Sequence, residues 1–263
     1  MTQFNYHSPA NSGDAARLFK TSGDPKYVAG GQSLLPTIRL GLADPSDLID
    51  LHGIADLSSI KASGNLVSIG AMSTHADVAE SAEVQRAIPA LAYLAGHIGD
   101  RQVRNRGTIG GSLANSDPAA CYPAGVLGLG ATINTDRRKI AADDYFQGLF
   151  TTALEPGELI TSVDFPVPEK AAYVKLRNPA SHFPLVGVFV AKTAGGVRVA
   201  VTGAGACAFR VKAMEDALNA GFSADALKGI KVDPSELNRD LHATPAYRAQ
   251  LINVLARRAV AAA

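Results

Sequence analysis

The sequence predicts a mixed fold, with α/β units through the first two thirds of the chain and an α+β unit at the C-terminus. Three observations carry that prediction. Strand-like and helix-like segments alternate over the first 55 or so residues, a hairpin signal followed by apolar-periodic helices opens a second stretch, and three consecutive strand patterns followed by helices close the chain. At 263 residues the chain exceeds one typical domain of about 100–150 residues, and the expected units are 1–56, 57–170 and 171–263.

In the first unit, Asn11 or Ser12 caps a helix running to about Lys20. Lys26–Ala29 is a short strand entering a pair of glycines, Leu34–Leu40 is a helix, and Asp47–Leu51 is a further strand. The second unit opens with strands over Ser59–Ala62 and Leu66–Gly70, joined by Ser63-Gly64-Asn65, whose residue types favour a tight turn. Helices follow at Ser81–Ala87 and Pro89–Ile98, the second with proline in its first turn, where the missing N–H is harmless. Residues 99–123, GDRQVRNRGTIGGSLANSDPAACYP, read as a long loop, and loops of that length are usually functional or disordered. Ala124–Leu129 then reads as helix, Ala131–Thr135 as extended chain, and GELITSVDFPVP as a strand stopped by Pro166 and Pro168.

The third unit has strands at Ala172–Arg177, Leu185–Lys192 and Val197–Thr202, the last two joined at Ala194-Gly195-Gly196. Helices follow at Val211–Ala220, Ala224–Gly229 and Pro245–Val260, and the alanine-rich end is expected to fray.

Composition removes several function classes. Hydrophobic residues at 47%, charged residues at 19% and a net charge of +1 describe an ordinary folded chain, and no basic stripe points to nucleic acid. No apolar run reaches the roughly 20 residues of a membrane span, and the N-terminus has no signal-peptide pattern, so a cytoplasmic location is expected. Cys121 and Cys207 are the only cysteines and form no CxxC, and the six histidines have no HExxH spacing, so no metal site is expected. Ser33 is not in a GxSxG elbow and has no histidine at a recognisable spacing. No catalytic nucleophile or acid–base residue is assigned.

Two glycine motifs carry the remaining signal. In AGGQSLLP, Gly30 and Gly31 can turn consecutive N–H groups inward as an anion nest ahead of a helix N-terminus, with Ser33 as a further donor. The same residues also fit a plain strand-to-helix turn. TIGGSLANSDPAA, at 108–120, repeats the Gly-Gly-x-Ser-Leu logic and adds Asn115 and Asp117, and two nests suit a diphosphate. Arg101, Arg104 and Arg106, just upstream, either add positive potential or form a solvated basic loop.

Together, AGGQSLLP at 29–36 and VRNRGTIGGSLANSDPAACYP at 103–123 resemble the FAD-binding medium subunit of molybdenum hydroxylases, the group containing aerobic carbon monoxide dehydrogenase and the xanthine dehydrogenases. ELITSVDFP at 158–166 and YVKLRNPASHFPLVGVFVA at 173–191 extend the resemblance in the same order, so that it runs from about Phe4 to the C-terminus. The resemblance implies a PCMH-type fold, with two α/β subdomains clamping FAD, and a C-terminal α/β domain with a small antiparallel sheet and helices. It implies that Ala29, Gly30, Gly31, Gln32, Ser33, Leu34 and Leu35 form one pyrophosphate loop. Thr108, Gly110, Gly111 and Ser112, with Asn115 and Asp117, form the second.

Ile98, Ile160 and Lys175 match positions lining the flavin or adenine pocket, and Lys175 would stabilise the anionic reduced flavin. A surface lysine is the alternative reading. Phe183 stands where relatives carry an aromatic near the isoalloxazine, or is a core residue between strands. Cys121 replaces an acid that contacts the cofactor in parts of the family, and a thiol there would be oxidisable if its pKa were lowered.

Two cysteines cannot bind a 2Fe–2S cluster, which needs four ligands. The resemblance therefore implies an iron–sulfur small subunit and a molybdenum-containing large subunit as partners, arranged as a dimer of heterotrimers, with electrons reaching FAD in this chain. Two alternatives stand beside it: a self-sufficient FAD-dependent oxidoreductase and a non-catalytic nucleotide-binding interaction subunit.

Overall fold

A computed structural model of the chain describes residues 3–263; residues 1 and 2, at the start of the first expected unit, lie outside the described residues. The first unit alternates β1 (Asn5–His7), α1 (Ser12–Thr21), β2 (Pro25–Val28), α2 (Leu34–Arg39) and β3 (Asp47–Asp50). The three strands form a parallel sheet in the order β1-β3-β2, the arrangement expected when helices make the crossovers. Asn11 caps α1 by accepting from the Asp14 N–H at 2.8 Å. At the base of β3, hydrogen bonds from the Ser46 hydroxyl and the His7 ring lower the Asp47 carboxyl to about 2. β1 is too short for the alternation signal to register in the sequence.

The second unit opens with the hairpin β4 (Ile60–Ser63) and β5 (Leu66–Gly70), and Gly64 takes φ +57 at its turn. Three helices follow, α3 (His75–Glu80), α4 (Ala82–Ala87) and α5 (Pro89–Gly96). α3 is a helix that the apolar pattern does not announce, although Thr74 and Asp77 form a reciprocal capping box at its start. Residues 99–123 are not a long loop. They fold into α6 (Arg101–Arg106), α7 (Ile109–Asn115) and the start of α8 (Tyr122–Leu129). Asp100 caps α6 through the Val103 N–H, and Thr108 caps α7 through the Gly111 N–H. Those caps start helices that the glycine content argued against.

β6 (Thr132–Thr135), β7 (Lys139–Ala141), α9 (Ala142–Tyr145), the small hairpin β8 (Phe146–Gly148) and β9 (Thr151–Thr152), and β10 (Ile160–Pro166) complete the unit. Its antiparallel sheet runs β4-β5-β10-β6-β7. Val67, Ile69, Val163, Phe165 and Ile133 alternate onto one face and are fully buried beneath the helices. Every residue of α8 is buried, as befits a helix that is apolar all round.

The third unit is an antiparallel sheet, β11 (Lys170–Arg177), β12 (Pro184–Thr193), β13 (Gly196–Thr202) and β14 (Phe209–Arg210), with α10 (Lys212–Ala220) and α11 (Pro245–Ala262). β12 is buried on both faces, which explains its unbroken apolar run. Val186, Val188 and Val190 join the core shared with α10 and α11, whereas Phe189 and Ala191 join the core shared with α8. A Cβ on Gly128 of α8 would stand 2.7 Å from Phe189 Cδ1, so glycine there lets the helix sit close on the sheet. The alanine-rich end, expected to fray, is helical: α11 continues to Ala262, with Ala259 and Val260 buried in the core.

Candidate cofactor site

Where β2 ends, the chain turns sharply through Gly30 and Gly31 into α2. Gly31 takes φ +69, which glycine adopts without strain, and a Cβ on Gly30 would lie 2.2 Å from the Arg106 carbonyl oxygen and 2.7 Å from Gly107 Cα. The first glycine motif therefore rests directly on the backbone that precedes the second. Among the described residues, the N–H groups of Gly30, Gly31, Gln32, Ser33 and Leu34 have no acceptor within the protein. Five neighbouring unpartnered donors lining a cavity are what an anionic ligand requires.

The second motif differs from the nest expected of it. Ile109 N–H donates to Ser73 O, Gly110 N–H to Ala71 O, Gly111 N–H to Thr108 Oγ1 and Ser112 N–H to Thr108 O. Its main-chain donors are thus used in building α7 and docking it beside β5, which a nest geometry excludes. Gly110 serves that docking, since a Cβ there would stand 2.6 Å from Ala71 Cβ. What this motif turns toward the cavity is side chain: the Ser112 hydroxyl and the Asn115 amide, neither hydrogen-bonded within the protein among the described residues. Gly111 faces the first motif, a Cβ on it lying 3.6 Å from Ala29 Cβ.

Between the two motifs lies a cavity of about 590 Å³, within the range of roughly 300–1,000 Å³ usual for cofactor and ligand sites. Ala29, Gly30, Gly31, Gln32, Ser33, Leu34, Ile98, Thr108, Gly110, Gly111, Ser112, Asn115, Asp117, Cys121, Ile160, Lys175 and Phe183 all line it. Leu35 does not, because its side chain folds back against Gly31. Arg101, Arg104 and Arg106 are also absent from the walls: Arg104 instead donates to Ile98 O and Gly99 O, at 3.0 and 3.2 Å, and holds the Ile98 segment in shape.

Lys175 is not a free surface lysine. Its Nζ donates to His97 O at 2.7 Å and His182 O at 2.9 Å, and lies 3.5 Å from Cys121 Sγ. Cys121 is 4% exposed, and its burial pushes the thiol pKa up despite the neighbouring ammonium. The thiol therefore stays protonated, which removes the condition for easy oxidation. Phe183 is 45% exposed at the cavity mouth, so it is not a core residue.

Several wall residues gave no sequence signal, among them His75, Met72, Asp100, Leu154 and Glu158. Glu158 is buried and held near pKa 2, chiefly by the Arg138 guanidinium. His75 is 5% exposed, and burial together with the Arg104 charge lowers its pKa to about 4. Only the capping box immediately before it could have marked its position.

An extended cavity with unpartnered N–H groups at one place, hydroxyl and amide groups opposite, and apolar walls fits a dinucleotide with a pyrophosphate centre. Residues 2–168 match the family model described as the FAD binding domain in molybdopterin dehydrogenase. The chain belongs to this family. This FAD-binding family member is 36% identical over 269 residues to the nicotine 6-hydroxylase medium subunit of Paenarthrobacter nicotinovorans, covering 97% of this chain and 95% of that one. It is 33% identical to the carbon monoxide dehydrogenase medium chain of Hydrogenophaga pseudoflava, covering 99% and 97%. In three dimensions it superposes on a chain of the carbon monoxide dehydrogenase structure from Hydrogenophaga pseudoflava with a TM-score of 0.89 at 35% identity, covering 99% and 97%. The mixed α/β architecture is thus the family's own, and the family is one of oxidoreductases that bind FAD. Among the described residues no group of His, Cys, Asp and Glu side chains is arranged to hold a metal ion, and no helix is long and apolar enough to cross a membrane.

Proposed function

We propose that this chain is the FAD-carrying subunit of a multisubunit molybdenum hydroxylase, passing electrons from a partner 2Fe–2S subunit to an external acceptor. The observation that carries this reading is the run of unpartnered N–H groups from Gly30 to Leu34, facing Ser112 and Asn115 across the cavity. FAD, when bound, supplies the redox chemistry.

The residues of this chain bind and orient. Gly30 to Leu34 hold the pyrophosphate through main-chain donors, and Ser112 and Asn115 meet it from the opposite wall through side chains, with Thr108 capping the helix that carries them. Gly110 and Gly111 act by close approach of backbone, without donating. Ile98, Ile160 and Phe183 supply apolar surface that excludes water, and Lys175, fixed by two carbonyls, sets a positive charge at the wall it shares with Cys121. Gln32 and Asp117 order the two motifs locally, Gln32 by donating to Gly30 O and Asp117 by accepting from the Ala119 N–H.

The separate sheets over residues 5–50, 60–166 and 170–210 support a division into units at 1–56, 57–170 and 171–263. Two cysteines, both free, are too few for an iron–sulfur cluster, so the metal centres belong to partner chains, in a dimer of heterotrimers. Free thiols also support a cytoplasmic location. The test is purification from the native source: a flavin spectrum, molybdenum and iron, and two further chains are expected together. Rapid turnover of an organic substrate by the isolated flavoprotein would instead favour a self-sufficient oxidoreductase, and a colourless chain that takes up no FAD would favour a non-redox subunit.

A further inference from the structure

His75 is the buried polar side chain of the cavity wall that no role above accounts for. Its Nδ1 is fully buried and has no hydrogen-bond partner, and its Nε2 makes no hydrogen bond to the protein among the described residues. A buried polar atom left unpaired typically costs about 1–3 kcal/mol, and Nδ1 bears that cost sealed in the protein; Nε2, unpartnered on a residue of the cavity wall, is the ring nitrogen that a ligand can reach. The ring is held in place from two sides: its main-chain N–H donates to Gly107 O at 2.8 Å, and it packs against the Tyr122 ring in a tilted arrangement, 53° between planes and 5.3 Å between centroids.

The position of Nε2 identifies that ligand. A Cβ on Gly107 would stand 2.6 Å from Nε2, so glycine there lets the backbone between α6 and α7 pack closely beside this nitrogen, and His75 and Gly107 line the cavity together. Gly107 Cα is in turn the atom that a Cβ on Gly30 would meet at 2.7 Å. His75, Gly107 and Gly30 therefore stand in direct succession, and Gly30 begins the run of unpartnered N–H groups. Burial and the adjacent Arg104 keep the ring neutral, so it carries a single N–H. Orphan N–H groups sealed in a protein are rarer than orphan acceptors, which favours the tautomer with its proton on Nε2.

We propose that His75 is a further ligand-binding residue of this site, its Nε2–H hydrogen-bonding a phosphoryl oxygen of the dinucleotide held by Gly30–Leu34. The inference rests on the reading that the cavity holds FAD. A hydrogen bond to a charged acceptor is stronger than a neutral one, so its loss is measurable as affinity.

The test uses the full chain stripped of flavin and titrated with FAD, ADP and riboflavin. His75→Phe fills the space and keeps the ring–ring packing against Tyr122 but removes the donor, whereas His75→Gln sets an amide N–H near the place of Nε2. H75F is expected to weaken FAD and ADP by about tenfold or more and to leave riboflavin unchanged, with H75Q within about threefold of wild type for all three. ADP binding by H75F as tight as wild type, or an equal loss of riboflavin, would overturn the proposal. Should H75F not fold, nitrogen-correlated NMR of the wild-type imidazole decides: ADP must shift the Nε2–H resonance, and an unmoved resonance overturns the proposal. FAD uptake that is indifferent to H75F removes His75 alone. A stripped wild-type chain that takes up none of the three ligands removes the FAD reading, and this proposal with it.

Discussion

Gly30 and Arg106 stand 76 positions apart in the sequence, yet a Cβ on Gly30 would stand 2.2 Å from the Arg106 carbonyl oxygen. This contact brings the two glycine motifs together, because the chain running on from Arg106 enters α7 three residues later, at Ile109. Gly30→Ala is therefore expected to force the motifs apart. Overpacking against rigid backbone typically costs about 1–3 kcal/mol, so the melting temperature should fall and FAD content with it. Full flavin content at an unchanged melting temperature would show that the contact is not needed to form the site.

Gly111 tests the cavity itself. A Cβ there meets Thr108 Oγ1 at 2.9 Å and Ala29 Cβ at 3.6 Å, so Gly111→Val wedges the gap between the motifs and disturbs the cap of α7. Flavin occupancy of the purified variant is expected to drop to a small fraction of wild type. Undiminished occupancy would remove Gly111 from the binding surface.

Lys175→Met removes a positive charge from the cavity wall and leaves the His97 and His182 carbonyls without their shared donor. A cation near the flavin favours the reduced, anionic form, so the variant's reduction potential should fall. The loss of about 1.4 kcal/mol in a two-electron couple corresponds to roughly 30 mV. Potentiometric titration of variant and wild type measures the difference, and equal potentials would leave Lys175 with only its structural ties.

His75 gives the flavin-free chain a distinct acid sensitivity. Its folded pKa of about 4 lies below the unfolded value of 6.5, so the unfolded chain binds more protons between these two pH values. The stability linked to the neutral ring is complete above about pH 6.5 and is lost as pH falls toward 4, a change on the order of 3 kcal/mol. Asp47 and Glu158, both held near pKa 2, lose their contributions only at lower pH, from about 4 downward. Denaturant unfolding of wild type and H75F at pH 7 and pH 4.5 should show a steeper acid loss in wild type. Parallel losses would mean that other groups govern this window.

Cys121 provides a chemical counterpart. With its thiol pKa raised by burial, it should react with a thiol-specific alkylating reagent at neutral pH far more slowly than the partly exposed Cys207, in which burial also raises the pKa but leaves the sulfur within reach. Mass spectrometry of a time course distinguishes the two sites. Faster labelling at Cys121 would mean that the ammonium of Lys175 dominates over burial.

Much of the site could be read from the sequence because its signals are local. The strand, glycine pair and helix of residues 26–39, the Gly64 hairpin and the two-sided apolar run of β12 each depend on neighbours within a few residues, and the motif order was enough to indicate the family. Local signals misread residues 99–123, where glycine propensity argued for a loop while the caps at Asp100 and Thr108 started helices. The sequence also could not say which donors remain available to a ligand. Gly30 and Gly110 look alike as letters, but Ala71 O accepts from the Gly110 N–H, while among the described residues no group accepts from the Gly30 N–H. That difference depends on which backbone packs beside each motif, as does the meeting of Lys175 with Cys121 and of His75 with Gly107. Residue types and spacing determined that this chain has two glycine motifs suited to a diphosphate; only tertiary packing decided which one leaves its main-chain N–H groups unpartnered, which one turns side chains to the cavity, and what else stands between them.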